Sequence, residues 1–187
     1  MPNALFPFFN PCRGFGHSPG VVTIRVNSMQ WLDARNLDLN TTLNSGQLFR
    51  YIALGDHYII HAGNRLFKIW QKGERIFFEG VEGEFISRFF RLEDDLEGIY
   101  RQIGKDPFIE KAIELYRGLR LIHHDPWECL VSFLCSSAKN IPHIKWILEH
   151  LCRHFGKPVS LGNYRGYTFP APDQINEGQD LGKIKAG

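Results

Sequence analysis

The chain is poor in the features that fix a compartment or a chemistry on sight. Its four cysteines, Cys12, Cys129, Cys135 and Cys152, include no C-x-x-C pair. Three of them stand among apolar neighbours, where a free cysteine acts as a small hydrophobe, and this favours a reducing, intracellular setting. Long hydrophobic runs are missing too: no stretch approaches the roughly 20 apolar residues of a membrane span. The opening Met1-Pro-Asn-Ala-Leu-Phe-Pro-Phe-Phe-Asn-Pro11 has no basic start and interrupts its apolar residues with prolines, unlike a secretory signal. A soluble protein without a membrane partner is expected. Nor is one charge in excess. Lys and Arg number 22 against 20 Asp and Glu, a formal +2, so any nucleic-acid surface has to be a local patch. No G-x-S-x-G, P-loop, G-x-G-x-x-G or internal repeat occurs.

What is present suits a globular α+β chain. Its 187 residues, 43% hydrophobic and 13% aromatic, can fill one large core or two small ones. Prolines and glycines punctuate residues 1–20 too often for regular structure, so an irregular extension is expected there. From Val21 to Val81 the pattern is short β-prone runs: Val21–Val26, Leu37–Leu43, Gln47–Ile52, Tyr58–His61, Arg65–Trp70 and Arg75–Phe78. Breaks at Gly55-Asp56, Gly63-Asn64 and Lys72-Gly73 recur every eight or nine residues, as in an antiparallel meander. After Phe85 the period becomes helical. Asp106-Pro107 and Asp125-Pro126 each pair an N-cap with a proline at the first helical position, and Glu128 adds the acid of a capping box. A buried helix from Pro126 to Ser136 is expected, then an amphipathic one with Ile144, Ile147, Leu148, Leu151 and Phe155 on one face. The tail from Val159 is rich in glycine and proline, and Phe169–Ile175 reads as a loop into a last short helix. The expected units are residues 1–20, an antiparallel-sheet domain with helices at 21–118, and the first helices of an all-α domain at 119–187.

Most chemical constellations dissolve on inspection. His150 and His154 share a helix face, but Cys152 points away and no third ligand has metal spacing, so no metal is expected. His123-His124 is a loop pair beside a cap. Cys135 sits at a helix C-terminus, where carbonyls raise a thiol pKa and argue against a nucleophile. What remains is the joint Ser136-Ser-Ala-Lys-Asn140 between two helices. Its small polar side chains, Lys139 and the free amides opening the next helix can reach phosphate or base edges.

At this joint a resemblance enters. Asp125-Pro-Trp-Glu-Cys-Leu-Val-Ser-Phe-Leu-Cys-Ser-Ser-Ala-Lys-Asn-Ile-Pro-His-Ile144 resembles D-P-x-E-C-L-x-S-F-I-C-S-S-N-N-N-I-x-R-I of eukaryotic-type 8-oxoguanine DNA glycosylases, in the helix-hairpin-helix superfamily. Leu43-Asn-Ser-Gly-Gln-Leu-Phe-Arg-Tyr51 is similar to that family's L-x-S-G-Q-x-F-R-W strand. The resemblance implies base excision repair: duplex DNA carrying an oxidised purine as partner, a flipped base, glycosidic cleavage and then strand cleavage, with no cofactor. It implies that the backbone carbonyl of Gly46 approaches the damaged base, where the absence of a side chain permits contact. Ser136, Ser137, Lys139, Asn140 and His143 then form the corner that enters DNA near the orphaned cytosine. Ala138 and Lys139 replace asparagines, and His143 replaces an arginine, losing a planar bidentate donor. No catalytic residue is assigned. By the resemblance, the nucleophilic lysine and its assisting aspartate lie downstream of Gly187, so a truncated, catalytically incomplete product is expected. Two rival readings accompany it: a relative that removes alkylated bases, and a non-catalytic DNA-binding module.

Overall fold

The computed structural model describes residues 22–24, 28–137 and 140–175. In chain order the elements are β1 Val22–Ile24, β2 Gln30–Asp33, α1 Leu39–Asn44, β3 Tyr51–Leu54, β4 His57–Ala62, β5 Arg65–Lys72, β6 Arg75–Glu79, α2 Gly83–Phe89, α3 Leu96–Ile103, α4 Pro107–Leu115, α5 Pro126–Ser136, α6 Ile141–Phe155, β7 Pro158–Leu161 and β8 Tyr164–Tyr167, with a 3₁₀ turn at Pro172–Gln174. The fold is α+β, and the expected meander is there: five antiparallel strands in the order β2-β6-β5-β4-β3. The expected extension at residues 1–20 lies outside the described residues.

The principal core forms between the inner face of this sheet and α1 and α2. Leu39 and Leu43, four apart on α1, meet Ile60, Phe67, Ile69, Ile76 and Phe78 of the strands and Ile86 and Phe89 of α2. Fully burying each such side chain contributes about 1.5–3 kcal/mol. Phe67 sits edge-on to both Phe85 and Phe89, at 5.6 and 5.7 Å between ring centres.

Four expectations need correction. The run Leu37–Leu43 is not a strand. Its apolar residues at every second place imitate one, but Asp38 caps a helix, its carboxylate accepting from Thr41 N at 2.6 Å, and Leu39, Thr42 and Leu43 bury together. In the run Gln47–Ile52 the strand begins only at Tyr51. The glycine- and proline-rich stretch from Pro158 holds strands that were not expected: β7 and β8 form a hairpin, and β1 pairs in parallel with β7 to complete a second, three-stranded sheet. Val159 and Leu161 of that hairpin cover Ile59 and Leu66 on the outer face of the first sheet. Finally, α5 is not a buried helix. Its buried residues are the polar Glu128 and Ser132, while Leu130, Phe133 and Leu134 face solvent.

The segment 118–124 crosses the body to reach α5 and is held by side chains from α1 and the loop after it. Thr42 Oγ1 donates to Gly118 O and accepts from Arg120 N, and Gln47 donates to Arg120 O and accepts from Ile122 N. The buried Arg120 guanidinium donates in turn to the carbonyls of Asn36 and Arg91.

Candidate nucleic-acid interface

The turn after α1 places Gly46 at the surface. Its φ is +87°, a left-handed value that favours glycine, and a Cβ there would meet nothing within 4 Å. Open space stands in front of it. The backbone conformation by itself is thus a reason for glycine at this turn.

The three residues at Phe49, Arg50 and Tyr51 then engage the helical pair one after another. Phe49 packs with Ile144, Leu148, Cys152 and Phe169. The Arg50 guanidinium donates to Tyr167 O at 2.6 Å and lies 3.6 Å from the Glu128 carboxylate, with both side chains almost wholly buried. Tyr51 presents its ring to the Lys145 ammonium, 4.4 Å from the ring centre, and donates its hydroxyl to Asn44 Oδ1 at 2.9 Å. Burial lowers the pKa of Lys145 and raises that of Tyr51, where Tyr58 adds to the effect.

Glu128 is the hinge of this arrangement. Its backbone amide donates to Asp125 Oδ1 as a capping box requires, but its carboxylate does not return to the cap. It accepts instead from Gly63 N at 2.6 Å, in the turn between β4 and β5. Around this buried charge pair, His61 is enclosed completely and its pKa falls to about 3, through desolvation first and then the nearby Arg50 charge. A Cβ on Gly166 would collide with the His61 ring. Trp127 Nε1 donates to Pro170 O, and Phe169 N donates to Gly63 O, closing the strand end over the joint.

The far end of α5 carries the corner. Ser136 and Ser137 donate their hydroxyls to the carbonyls of Phe133 and Leu134, capping the helix end. Asn140 caps α6, its Oδ1 accepting from His143 N at 3.1 Å. Ala138 and Lys139 lie outside the described residues. His143 is half-buried beside Trp146, at 5.6 Å between rings, and its Nε2 has no hydrogen-bond partner among the described residues. The structure thus joins Ser136, Ser137, Asn140 and His143 on the α5–α6 turn, and ties Gly46 to the same pair of helices through Phe49, Arg50 and Tyr51.

Other candidates are placed differently. His150 and His154 each direct Nδ1 to a carbonyl of the preceding turn, and no group of three metal-binding side chains occurs among the described residues. The Cys135 thiol pKa is raised, as expected, but burial is the cause. Burial also pushes Cys152 up to about 12. Sequence reasoning missed Arg50 and Glu128 as a pair. The available signal was Arg50, the one charged residue in the run Leu43–Tyr51.

The class these features define is an α+β module whose sheet is keyed by a buried ion pair onto two helices and the polar turn between them. Residues 31–130 match the family described as 8-oxoguanine DNA glycosylase, N-terminal domain. The chain belongs to that family. It is similar to the N-glycosylase/DNA lyase of Saccharomyces cerevisiae, 27% identical over 103 residues that cover 54% of this chain and 27% of the yeast protein. It is also similar to N-glycosylase/DNA lyase OGG1 of Arabidopsis thaliana, 31% identical over 103 residues that cover 53% of this chain and 27% of the plant protein. Among solved structures, the Clostridium acetobutylicum 8-oxoguanine glycosylase/lyase in complex with dsDNA containing cytosine opposite to 8-oxoG superposes with a TM-score of 0.73. That match has 25% identity and covers 81% of this chain and 57% of that one. The matched stretch spans little more than a quarter of the length of the curated relatives. No helix among the described residues is long and apolar enough to cross a membrane.

Proposed function

We propose that this chain takes part in base excision repair as the damage-facing part of an 8-oxoguanine DNA glycosylase/AP lyase. It binds duplex DNA with the Gly46 turn toward an extruded oxidised purine and the α5–α6 corner toward the vacated position. The observation that carries this reading is the anchoring of Phe49, Arg50 and Tyr51 on α5 and α6. It makes the Gly46 turn and the corner parts of one rigid body, as reading a flipped base requires. We take residues 21–118 and 119–187 as its two units, with the β7–β8 hairpin of the second packed on the sheet of the first.

Each residue has a role in the reading. The Gly46 carbonyl accepts a hydrogen bond from the damaged base. Ser136, Ser137 and Asn140 approach the duplex backbone and base edges, with Lys139 supplying a phosphate contact. His143 offers one donor where a planar arginine would offer two, so discrimination of the opposite base is weaker. No residue described here is assigned the role of nucleophile: Lys145, whose amine pKa is lowered by burial, is held over the Tyr51 ring.

The test is binding of the chain to an 8-oxoguanine:cytosine duplex and to its undamaged twin, followed by fluorescence anisotropy. The damaged duplex should bind more tightly, and Gly46→Val should erase the difference while leaving binding to undamaged DNA in place. Equal affinity for the two duplexes would overturn the proposal. Borohydride trapping separates recognition from chemistry, since this chain alone should form no covalent adduct.

A further inference from the structure

The outer face of the five-stranded sheet holds an arrangement that damage recognition leaves unused. Along β5 and β6, Ile69, Ile76 and Phe78 are fully buried in the core, so the alternating Trp70 and Phe77 turn to the other face. Strand register sets these rings in a row: Trp31 of β2 stands opposite Phe77 of β6, and Phe77 opposite Trp70 of β5. The row has one ring on each of three adjacent strands. Phe77 and Trp70 stack, with ring centres 5.7 Å apart and planes 14° from parallel.

Cations accompany the rings. The Arg75 guanidinium lies 4.3 Å from the centre of the Trp31 ring, and the Lys68 ammonium 5.0 Å from that of Trp70. Glu79 is the register partner of Lys68, yet neither Lys68 nor Arg75 closes an ion pair with a carboxylate among the described residues. Among the described residues the β7–β8 hairpin covers this face toward β4, over Ile59, His61 and Leu66. At the edge strand Trp31 keeps 51% of its surface in water, next to Met29 at 57%.

Cross-strand aromatic pairs stiffen a sheet, which accounts for Phe77 and Trp70. It accounts poorly for Trp31, an edge residue with half its surface exposed and a cation stacked on it. We propose that this row is a platform for unpaired nucleotides of a nucleic-acid strand. Bases stack on Trp31 and on the guanidinium plane of Arg75, and phosphates meet Arg75 and Lys68. Neighbouring strands lie about 4.8 Å apart, a spacing that a slightly extended strand of stacked bases can follow. Proline-rich peptides also choose aromatic rows, but two cations that close no ion pair among the described residues favour a polyanion. The platform is on the sheet face away from α1, whose Leu39 and Leu43 lie in the inner core, so it is separate from the Gly46 turn. It gives the chain a second, sequence-tolerant hold on a single strand.

The experiment titrates the full chain with a short oligothymidylate and follows tryptophan fluorescence at several salt concentrations. Quenching is expected, and Trp31→Ala should weaken binding on the order of tenfold, the effect of one base–aromatic stack. The surface pair Lys68→Gln with Arg75→Gln, which leaves the core untouched, should weaken binding and flatten its salt dependence. Asn140→Ala and His143→Ala should change neither. No binding by the full chain would overturn the proposal, as would wild-type affinity in the platform variants, a loss confined to the corner variants, or quenching by a proline-rich peptide in place of the oligonucleotide. A failed damaged-duplex preference with an intact platform response would overturn the repair reading alone.

Discussion

At the scale of single residues, the Arg50–Glu128 pair carries the most consequence. Burying two charges costs several kcal/mol each, and their attraction and hydrogen bonds to Tyr167 O and Gly63 N offset that cost only while both partners are present. Glu128→Ala strands a buried guanidinium and should lower the unfolding free energy by about 3–5 kcal/mol. The double change Arg50→Met with Glu128→Leu should cost far less than the two single losses added together. Urea unfolding of the four proteins checks this, and additive losses would mean that the two charges are uncoupled. His61 adds a pH dependence with a definite sign. Its native pKa of about 3 lies below the ordinary histidine value of 6.5, so between those values the unfolded chain binds the extra proton. Its contribution is fully present above about pH 6.5 and is lost as pH falls toward 3, at up to about 1.4 kcal/mol per unit. His61→Gln should remove that part of the slope in denaturation measured from pH 7 down to 4. Both motifs were legible in the sequence, but the link between them was not, because it depends on a hairpin that returns from far along the chain to supply Tyr167 O.

At the scale of elements, caps and turns explain both the successes and the failures of sequence reading. Asp106, Asp125 and Asn140 all cap helices through their side chains, with proline at the start of each helix, and the Asp125 and Asp106 devices were readable from spacing alone. Asp38 caps α1 with no proline after it, and leucines at 37, 39 and 43 suit a strand as well as a short helix until the i, i+4 pair Leu39 and Leu43 finds a core. The β7–β8 hairpin was hidden because Pro158 and the glycines Gly162 and Gly166 read as breakers. In place, proline occupies a strand's first residue and Gly166 makes room for the His61 ring. Asn140 carries two roles that one pair of substitutions separates. Asn140→Ala removes the cap on α6 and should cost about 1 kcal/mol of stability. Asn140→Asp keeps a carboxylate oxygen for His143 N and should retain stability. It also sets a negative charge at the corner, so duplex affinity should fall with either substitution while melting falls only with alanine. Unchanged duplex binding by the aspartate variant would remove Asn140 from the DNA surface.

At the scale of the whole molecule, the apolar surface is distributed differently from expectation. The apolar stripe of α6 is covered within the chain: Ile144, Leu148 and Cys152 are buried, with Trp127, Val131, Phe49 and Phe169 packed around them. The uncovered apolar residues stand on α4 and α5. No residue of α4 is buried, and Phe108, Leu115, Phe133 and Leu134 are among the most exposed large hydrophobics described. A helix with its apolar face in water was unreadable from sequence, because periodicity reports that a helix has such a face and not what covers it. A surface of this kind promotes association. Phe133 and Leu134 are 70% and 61% exposed, so replacing both with glutamine removes little buried area and should leave the unfolding free energy within about 0.5 kcal/mol. The same change should reduce both binding of a hydrophobic dye and concentration-dependent growth in light-scattering mass. A clear loss of stability would show that these side chains are covered in solution. Unchanged association would move the sticky surface to α4, where Phe108→Gln makes the parallel test.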